Sequence, residues 1–375
     1  MNDTIQIREA VELRPRFGIV GAGNGGLTTA ADLVSRGYEV VGLHDKFDEA
    51  VAPVRRAGVV RGVGPHLEGT FGIPLATTVM AEAVAEADVV IVTTTANAHE
   101  EVAAALAPHV RDGQVVLLCP GYLGGTLIFR RVFRERGVQV RVHLAETSML
   151  TYATRIVAPG VVGLRARKSW VALAALPAAD TPKVLDRLGG AFPMFEAAPD
   201  VLYTGLSNIN PVSHVPTTLL NLGKTEDGSP EPDDFHQWMT PSVHRVMDAM
   251  DRERIAVGRA YGVEVLPREP FLAKSYEGVR RVVVPTQGPT TETHSMVPPR
   301  YLTEDVPMGL VPIVEFARRA QASVPVIESL IHLAAAIKGI DYWVSGRTLA
   351  QMGIEGIPDA ELQGVLMGDK TESRA

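Results

Sequence analysis

Up to about residue 142 the chain alternates short apolar, β-branched runs with segments whose apolar positions recur at helical spacing. The runs at 17–20, 39–43, 89–93, 114–118 and 138–142 predict strands, and those at 25–36, 79–86, 99–106 and 125–135 predict the helices between them. Several strand runs are apolar throughout instead of alternating, which suits a parallel sheet covered on both faces. Gly37 stands where a left-handed residue would end the first helix. Further runs at 161–164 and 170–173 read as extensions of the same sheet.

Near residues 192–199 the period changes. Helical spacing dominates afterwards, over 210–222, 241–261, 311–320 and 325–338. Two stretches interrupt it. Residues 225–235, rich in Asp, Glu and Pro, read as an exposed loop, and 284–299, with turn residues and threonines, as an irregular approach to Arg300. The pattern predicts an α/β chain, with an N-terminal doubly wound domain at 17–195 followed by an all-helical domain at 196–367. Residues 1–16 read as a short extension and 368–375 as a tail.

Length agrees, since 375 residues exceed what one core usually organises. A formal charge of −7 argues against nucleic acid or an anionic membrane as the main partner. An anionic small molecule would then need particular Arg or Lys side chains aimed at it. The single cysteine, Cys119, rules out an internal disulfide and multi-thiolate metal sites, and fits a reducing cytoplasm. No run is long enough to span a membrane, and no apolar signal core opens the chain.

The first strand run leads into Gly21-Ala22-Gly23-Asn24-Gly25-Gly26 and then into a helix. Strand, G-x-G-x-x-G and helix in that order are the context in which a Rossmann domain binds a dinucleotide. Gly21 permits the tight turn, Gly23 lets the backbone approach a pyrophosphate, and Gly26 allows helix and strand to pack closely. The helix N-terminus offers free N–H groups to the phosphates. Asp45, 19 residues after Gly26, stands where a carboxylate accepts the adenosine ribose hydroxyls and repels a 2′-phosphate. That favours NAD. Lys46, Arg55 and Arg56 are the competing signal, so NADP is not excluded. Thr93-Thr94-Thr95-Ala96-Asn97-Ala98-His99 and Cys119-Pro120-Gly121-Tyr122 follow later strands at the carboxyl edge of the sheet, and Thr95, Ala96 and His99 are expected to border the nicotinamide ribose.

In the second domain, Asn210-Pro211 reads as N-cap and N1 of a helix. Helical spacing puts Val212, Val215, Leu219 and Leu222 on one face and His214, Thr217, Thr218 and Asn221 on the other. The second face is either solvated or lines a cleft, and Pro216 weakens the helix. Further on comes Arg300-Tyr301-Leu302-Thr303-Glu304-Asp305-Val306-Pro307, in which Asp305 could simply cap a helix and Arg300 be a surface charge. Spacing does not show that His214 and Asp305 meet.

These segments, with Ala145-Glu146-Thr147, Asp251-Arg252-Glu253-Arg254 and Gly346-Arg347-Thr348-Leu349, resemble the opine dehydrogenase family, which includes octopine and nopaline dehydrogenases. The resemblance covers roughly residues 16–355. It implies an NAD(P)H-dependent reductive condensation of an amino acid with a 2-oxo acid, those two small molecules being the partners. It further implies that His214 is the catalytic acid/base with Asp305 as its carboxylate, that Arg300 grips a substrate carboxylate, and that Asn210 and Thr147 contact substrate. The particular amino acid is not implied. A dehydrogenase acting on a CH–OH bond, of hydroxyacid or ketopantoate reductase type, and a non-catalytic NAD-binding regulator stay open as alternatives. A metal is not expected, because the ten histidines are scattered. The apolar faces at 241–261 and 325–338 suit either core or a homo-oligomer interface.

Overall fold

A computed structural model describes residues 14–226, 235–280, 282 and 300–368. The expected loop at 284–299, most of the loop at 225–235, residues 1–13 and residues 369–375 lie outside the described residues. Phe235, assigned to the exposed loop, is buried instead.

Among the described residues, twelve strands form two sheets. In chain order they are β1 (Arg16–Val20), β2 (Glu39–His44), β3 (Val59–Val63), β4 (Gly69–Gly72), β5 (Ala76–Thr77) and β6 (Val89–Val92). Then come β7 (Val115–Leu118), β8 (His143–Thr147), β9 (Tyr152–Ala158), β10 (Val161–Arg167), β11 (Val171–Leu176) and β12 (Phe195–Ala197). The larger sheet runs β12-β11-β8-β7-β6-β1-β2-β5. The central strands β6 and β7, all Val, Ile and Leu, are buried at every position because helices cover both faces. From β1 the chain steps to β2 on one side and later to β6 on the other, so the order reverses at β1. Ligands of such sheets bind beyond the strand ends at that reversal.

Two expectations need correction. The strand expected at 138–142 lies at His143–Thr147, because Val140 is solvent-exposed whereas every residue of β8 is buried. Its polar side chains disguised it. The run at 161–164 belongs to β10 in a separate sheet, β4-β3-β10-β9, whereas the run at 170–173 extends the larger sheet as expected, as β11 antiparallel to β8. The small sheet leans on helix α1 (Asn24–Ser35). There the buried Asp32 accepts from Tyr152 Oη at 2.8 Å and from Arg36 at 2.7 Å, and pairs with Arg167. A carboxylate that deep must be paired to remain charged.

The other helices flanking the sheet are α2 (Asp48–Ala57), α3 (Met80–Val84), α4 (His99–Leu106), α5 (Gly125–Glu135) and α6 (Thr181–Arg187). After β12 no strand follows among the described residues, and the second domain is helical. Its helices are α7 (Val201–Leu206), α8 (Asn210–Leu220), α9 (Leu222–Glu226), α10 (Pro241–Ala260) and α11 (Arg268–Ser275). Beyond these lie α12 (Arg300–Thr303), a π-helical turn at Asp305–Leu310, α13 (Val311–Arg319), α14 (Pro325–Lys338), α15 (Tyr342–Ser345) and α16 (Asp359–Met367). Asp200 caps α7 by accepting from Tyr203 N at 2.9 Å, and α7 lies against β8 and β11. Arg254, fully buried in α10, pairs with Asp251 and donates to the carbonyls of Leu206 and Leu266. No helix among the described residues is long and apolar enough to cross a membrane.

Candidate active site

A cleft of about 810 Å³ opens where β1 and β6 end, lined by the glycine loop, the segment after β2, both later loops and part of the helical domain. Gly21 has φ +104°, a left-handed value that glycine tolerates. A Cβ on Gly26 would lie 1.7 Å from Gly21 O, so helix and strand approach too closely for any side chain. A Cβ on Gly23 would meet nothing within 4 Å. Gly26 is therefore fixed by packing, whereas Gly23 leaves open room at the start of α1, where no side chain caps the helix. An uncapped N-terminus facing open space fits a pyrophosphate. Asn24 and Gly25 also line the cleft, with Asn24 Oδ1 accepting from Ile156 N at 2.6 Å.

Asp45 extends from β2 to the glycine loop. One carboxylate oxygen accepts from Ala22 N at 2.8 Å and the other from Phe47 N at 3.1 Å. Of the bases that compete for a 2′-phosphate, Lys46 is paired with Glu101 at 2.7 Å and Arg55 with Asp48 at 2.6 Å. The carboxylate thus faces the cleft while two cations are turned to acidic neighbours.

On the helical side, Asn210, Arg300 and Glu304 line the cleft. Asn210 is the first residue of α8 and not its cap; its N–H donates to Asn208 Oδ1 at 3.1 Å. The helix continues across Pro216. Thr217, Thr218 and Asn221, expected on a solvated or cleft-lining face, are buried, and Asn221 donates to the carbonyls of Thr217 and Trp238. His214 is four residues beyond Asn210, on the same face of the helix.

The tertiary structure brings His214 and Asp305 together across 91 residues, with Nδ1 and Oδ2 2.8 Å apart. The carboxylate is fully buried and the imidazole is 15% exposed. Tyr301 stacks on the imidazole at 3.8 Å between centroids, and Phe235 meets it edge-on. Asp305 holds Nδ1 as a donor, which leaves Nε2 free to exchange a proton. A carboxylate beside an imidazole tends to raise its pKa. Burial lowers it instead, outweighing the opposing pull of Asp305. Asp305 begins the π-helical turn, a rare geometry that recurs at functional sites.

Arg300 has its side chain 42% exposed and, among the described residues, a single long contact to a carboxylate, 3.4 Å to Glu304. Burial works against its charge, but Tyr122, Glu304 and Asp305 nearby raise its pKa on balance. It remains a cation with donors directed at the cleft.

Two residues expected at the ligands are elsewhere. His99 is buried, accepts from Arg347 at 3.1 Å and packs edge-on to Phe129, away from the cleft lining. Burial, and then Arg347, hold it neutral. Thr147 is fully buried and donates to Met149 O at 2.9 Å. Thr95 lines the cleft, but Ala96 is buried behind it and acts through its backbone. Its N–H donates to Glu304 at 2.8 Å and its carbonyl accepts from Arg347 at 3.0 Å, so the helical domain grips one residue from both sides. Arg347 also donates to Leu123 O at 3.0 Å. Its burial without a bonded carboxylate lowers its pKa to about 10.

Sequence reasoning assigned no role to Glu304, Arg347 or Glu146. Glu146 is fully buried in β8 and accepts from Thr126 N, Thr126 Oγ1 and, across the domain boundary, Thr204 Oγ1. Burial outweighs these donors and pushes its pKa up to about 7. The available signal was a charge inside otherwise apolar surroundings.

With this geometry in view, similarity to known proteins is informative. An opine dehydrogenase from Arthrobacter sp. (strain 1C) is 32% identical over 352 residues, covering 92% of this chain and 97% of the relative. The chain belongs to the opine dehydrogenase family. It is an oxidoreductase. Residues 197–338 match the family model described as NAD/NADP octopine/nopaline dehydrogenase, alpha-helical domain. Residues 16–119 match the model described as NADP oxidoreductase coenzyme F420-dependent. Octopine dehydrogenase solved with NADH and L-arginine superposes with TM-score 0.71 at 23% identity, over 96% of this chain and 100% of that one. The same enzyme with NADH and pyruvate gives 0.70 at 24%, over 93% and 98%. These superpositions establish the shared fold.

Proposed function

We propose that the protein uses NADH to join an amino acid to a 2-oxo acid reductively, giving a secondary amine with a carboxylate on each arm, and catalyses the reverse. The observation that carries this reading is the bonded His214–Asp305 pair in the helical domain, set directly behind Asn210, Arg300, Glu304 and Tyr122, which line the dinucleotide cleft. A nicotinamide bound there would supply or accept the hydride. Its pyrophosphate would rest on the open backbone around Gly23, and Asp45 would receive the adenosine ribose, which favours NAD over NADP.

The chain's own residues supply the rest. Arg300 holds a substrate carboxylate through charge-assisted bonds and so orients the carbon that changes oxidation state. His214 Nε2 takes a proton from the incoming amine, or gives one to the departing oxygen, while Asp305 keeps the ring oriented and steadies the imidazolium. The solved complexes of octopine dehydrogenase contain NADH with L-arginine or with pyruvate, an amino acid and a 2-oxo acid. Asn210 contacts substrate, and the domains divide at residues 195 and 196. A cytoplasmic setting, matching a single buried thiol, completes the proposal.

The test crosses a panel of amino acids with pyruvate, 2-oxoglutarate and other 2-oxo acids, following NADH and NADPH oxidation. Turnover that needs both reactants, with NADH preferred, is the expected result. Dinucleotide binding with no turnover for any pair, or turnover with a 2-oxo acid alone, would overturn it.

A further inference from the structure

Asp305 has a second partner. While Oδ2 meets His214, Oδ1 accepts from the Tyr122 hydroxyl at 2.9 Å. Tyr122 comes from the loop after β7, in the dinucleotide-binding domain; Asp305 and His214 belong to the helical domain. The phenol is buried and its ring lines the cleft. Burial, followed by Asp305, holds its pKa well above the ordinary value, so it stays a neutral donor.

The loop is built to aim that hydroxyl. Tyr122 has φ +56°, a left-handed conformation that costs a non-glycine residue energy and persists only where its surroundings impose it. Gly121 N donates to Thr147 O at 3.2 Å, and a Cβ on Gly121 would fall 2.5 Å from Glu146. Arg347 fastens the far side through Leu123 O. The Tyr122 ring therefore meets Asp305 when the two domains are docked as they are here.

We infer that Tyr122 is a positioning residue that sets the proton affinity of His214 through Asp305, and so links the acid/base group to domain docking. This rests on His214 being the acid/base group. A carboxylate that accepts a second hydrogen bond offers less negative charge to its imidazolium, which makes the histidine a weaker base. Among the described residues, the other charged or titratable groups facing the pair are Arg300 and Tyr301 of α12, Glu304 between α12 and the π-turn, and His236 from the short helix at Phe235–Trp238. Among the described residues, Tyr122 is the one the dinucleotide-binding domain bonds to Asp305.

The experiment compares the full-length wild type, Tyr122→Phe and protein with 3-fluorotyrosine placed at position 122, a stronger donor of the same shape. In the oxidative direction, where neutral His214 acts as base, the acid limb of kcat should move up by about half a pH unit or more in Tyr122→Phe, and kcat should fall roughly tenfold with little change in KM. The fluorinated protein should move the limb down. The His214 ring titration, followed by nitrogen-15 NMR without substrate, should shift in the same two directions. A folded Tyr122→Phe protein with lower Tm but unmoved limb and ring titration would overturn the inference. If that variant does not fold, an unmoved or upward shift in the fluorinated protein would overturn it. His214→Ala with wild-type turnover and pH profile would instead remove the acid/base reading, while the NMR comparison would still report on Tyr122.

Discussion

The glycine loop and the His214–Asp305–Tyr122 cluster, which reaches the same cleft through Tyr122, are specified in different ways. The loop is six consecutive residues acting through backbone: a left-handed turn at Gly21, open space at Gly23 and a backbone contact at Gly26. The cluster consists of three side chains from positions 122, 214 and 305, acting through bonds of 2.8 and 2.9 Å in a buried setting. A backbone site is set by local conformational rules and survives most changes around it. A side-chain site depends on the docking of whole domains.

The strongest test of this contrast is Gly26→Ala. Its Cβ would meet a carbonyl oxygen and not a movable side chain, so folded protein should be lost or destabilised by about 4 kcal/mol or more, measured by denaturant unfolding. In the cluster, His214→Ala should keep the fold and lower kcat by roughly 10²- to 10⁴-fold. Its pH dependence has a definite sign. Because burial lowers the His214 pKa, neutral base persists below pH 6.5, and the wild-type acid limb of amine oxidation should lie below that value. A limb above it would mean that the aspartate dominates.

Glu146 tests whether the boundary between the domains is as sensitive as the cluster. Its folded pKa of about 7 exceeds the ordinary 4.5, so the folded protein holds a proton that the unfolded chain releases. Its contribution is present below pH 4.5 and is lost as pH rises through 7, a change on the order of 3 kcal/mol. Glu146→Gln should flatten that part of the stability profile, as read by unfolding at a series of pH values. The smallest effect completes the contrast: Gly23→Ala should change stability by only about 1 kcal/mol or less, yet raise the dinucleotide Kd roughly tenfold, measured by titration calorimetry. Equal losses of stability at Gly23 and Gly26 would show that the loop does not divide its work this way.

Much of the first domain was legible because its signals are short-range. The runs that became β6 and β7 are apolar throughout, and the helices at 99–106 and 125–135 have the boundaries their period suggests. β8 was misplaced because His143, Glu146 and Thr147 find buried partners in Asp180, Thr126 and the Met149 carbonyl. A polar residue with a satisfied partner is invisible to a hydrophobicity pattern. His99 misled for the converse reason: a histidine opening a helix at the sheet edge suggests a ligand, but Arg347, 248 residues away, turns it inward.

The sequence alone determined the sheet-then-helix order, the glycine turn and the carboxylate after β2. Each follows from the conformational preferences or periodicity of residues close together in the chain. It also supplied His214, Arg300 and Asp305 as separate residues, and the family resemblance suggested their roles. Only the tertiary structure decided that His214 and Asp305 are bonded, that Tyr122 reaches Asp305 from the other domain, and that Glu304 and Arg347 hold the two sides of Ala96. Burial decided the protonation of His214 as well, because the cost of removing a charge from water depends on everything packed around it.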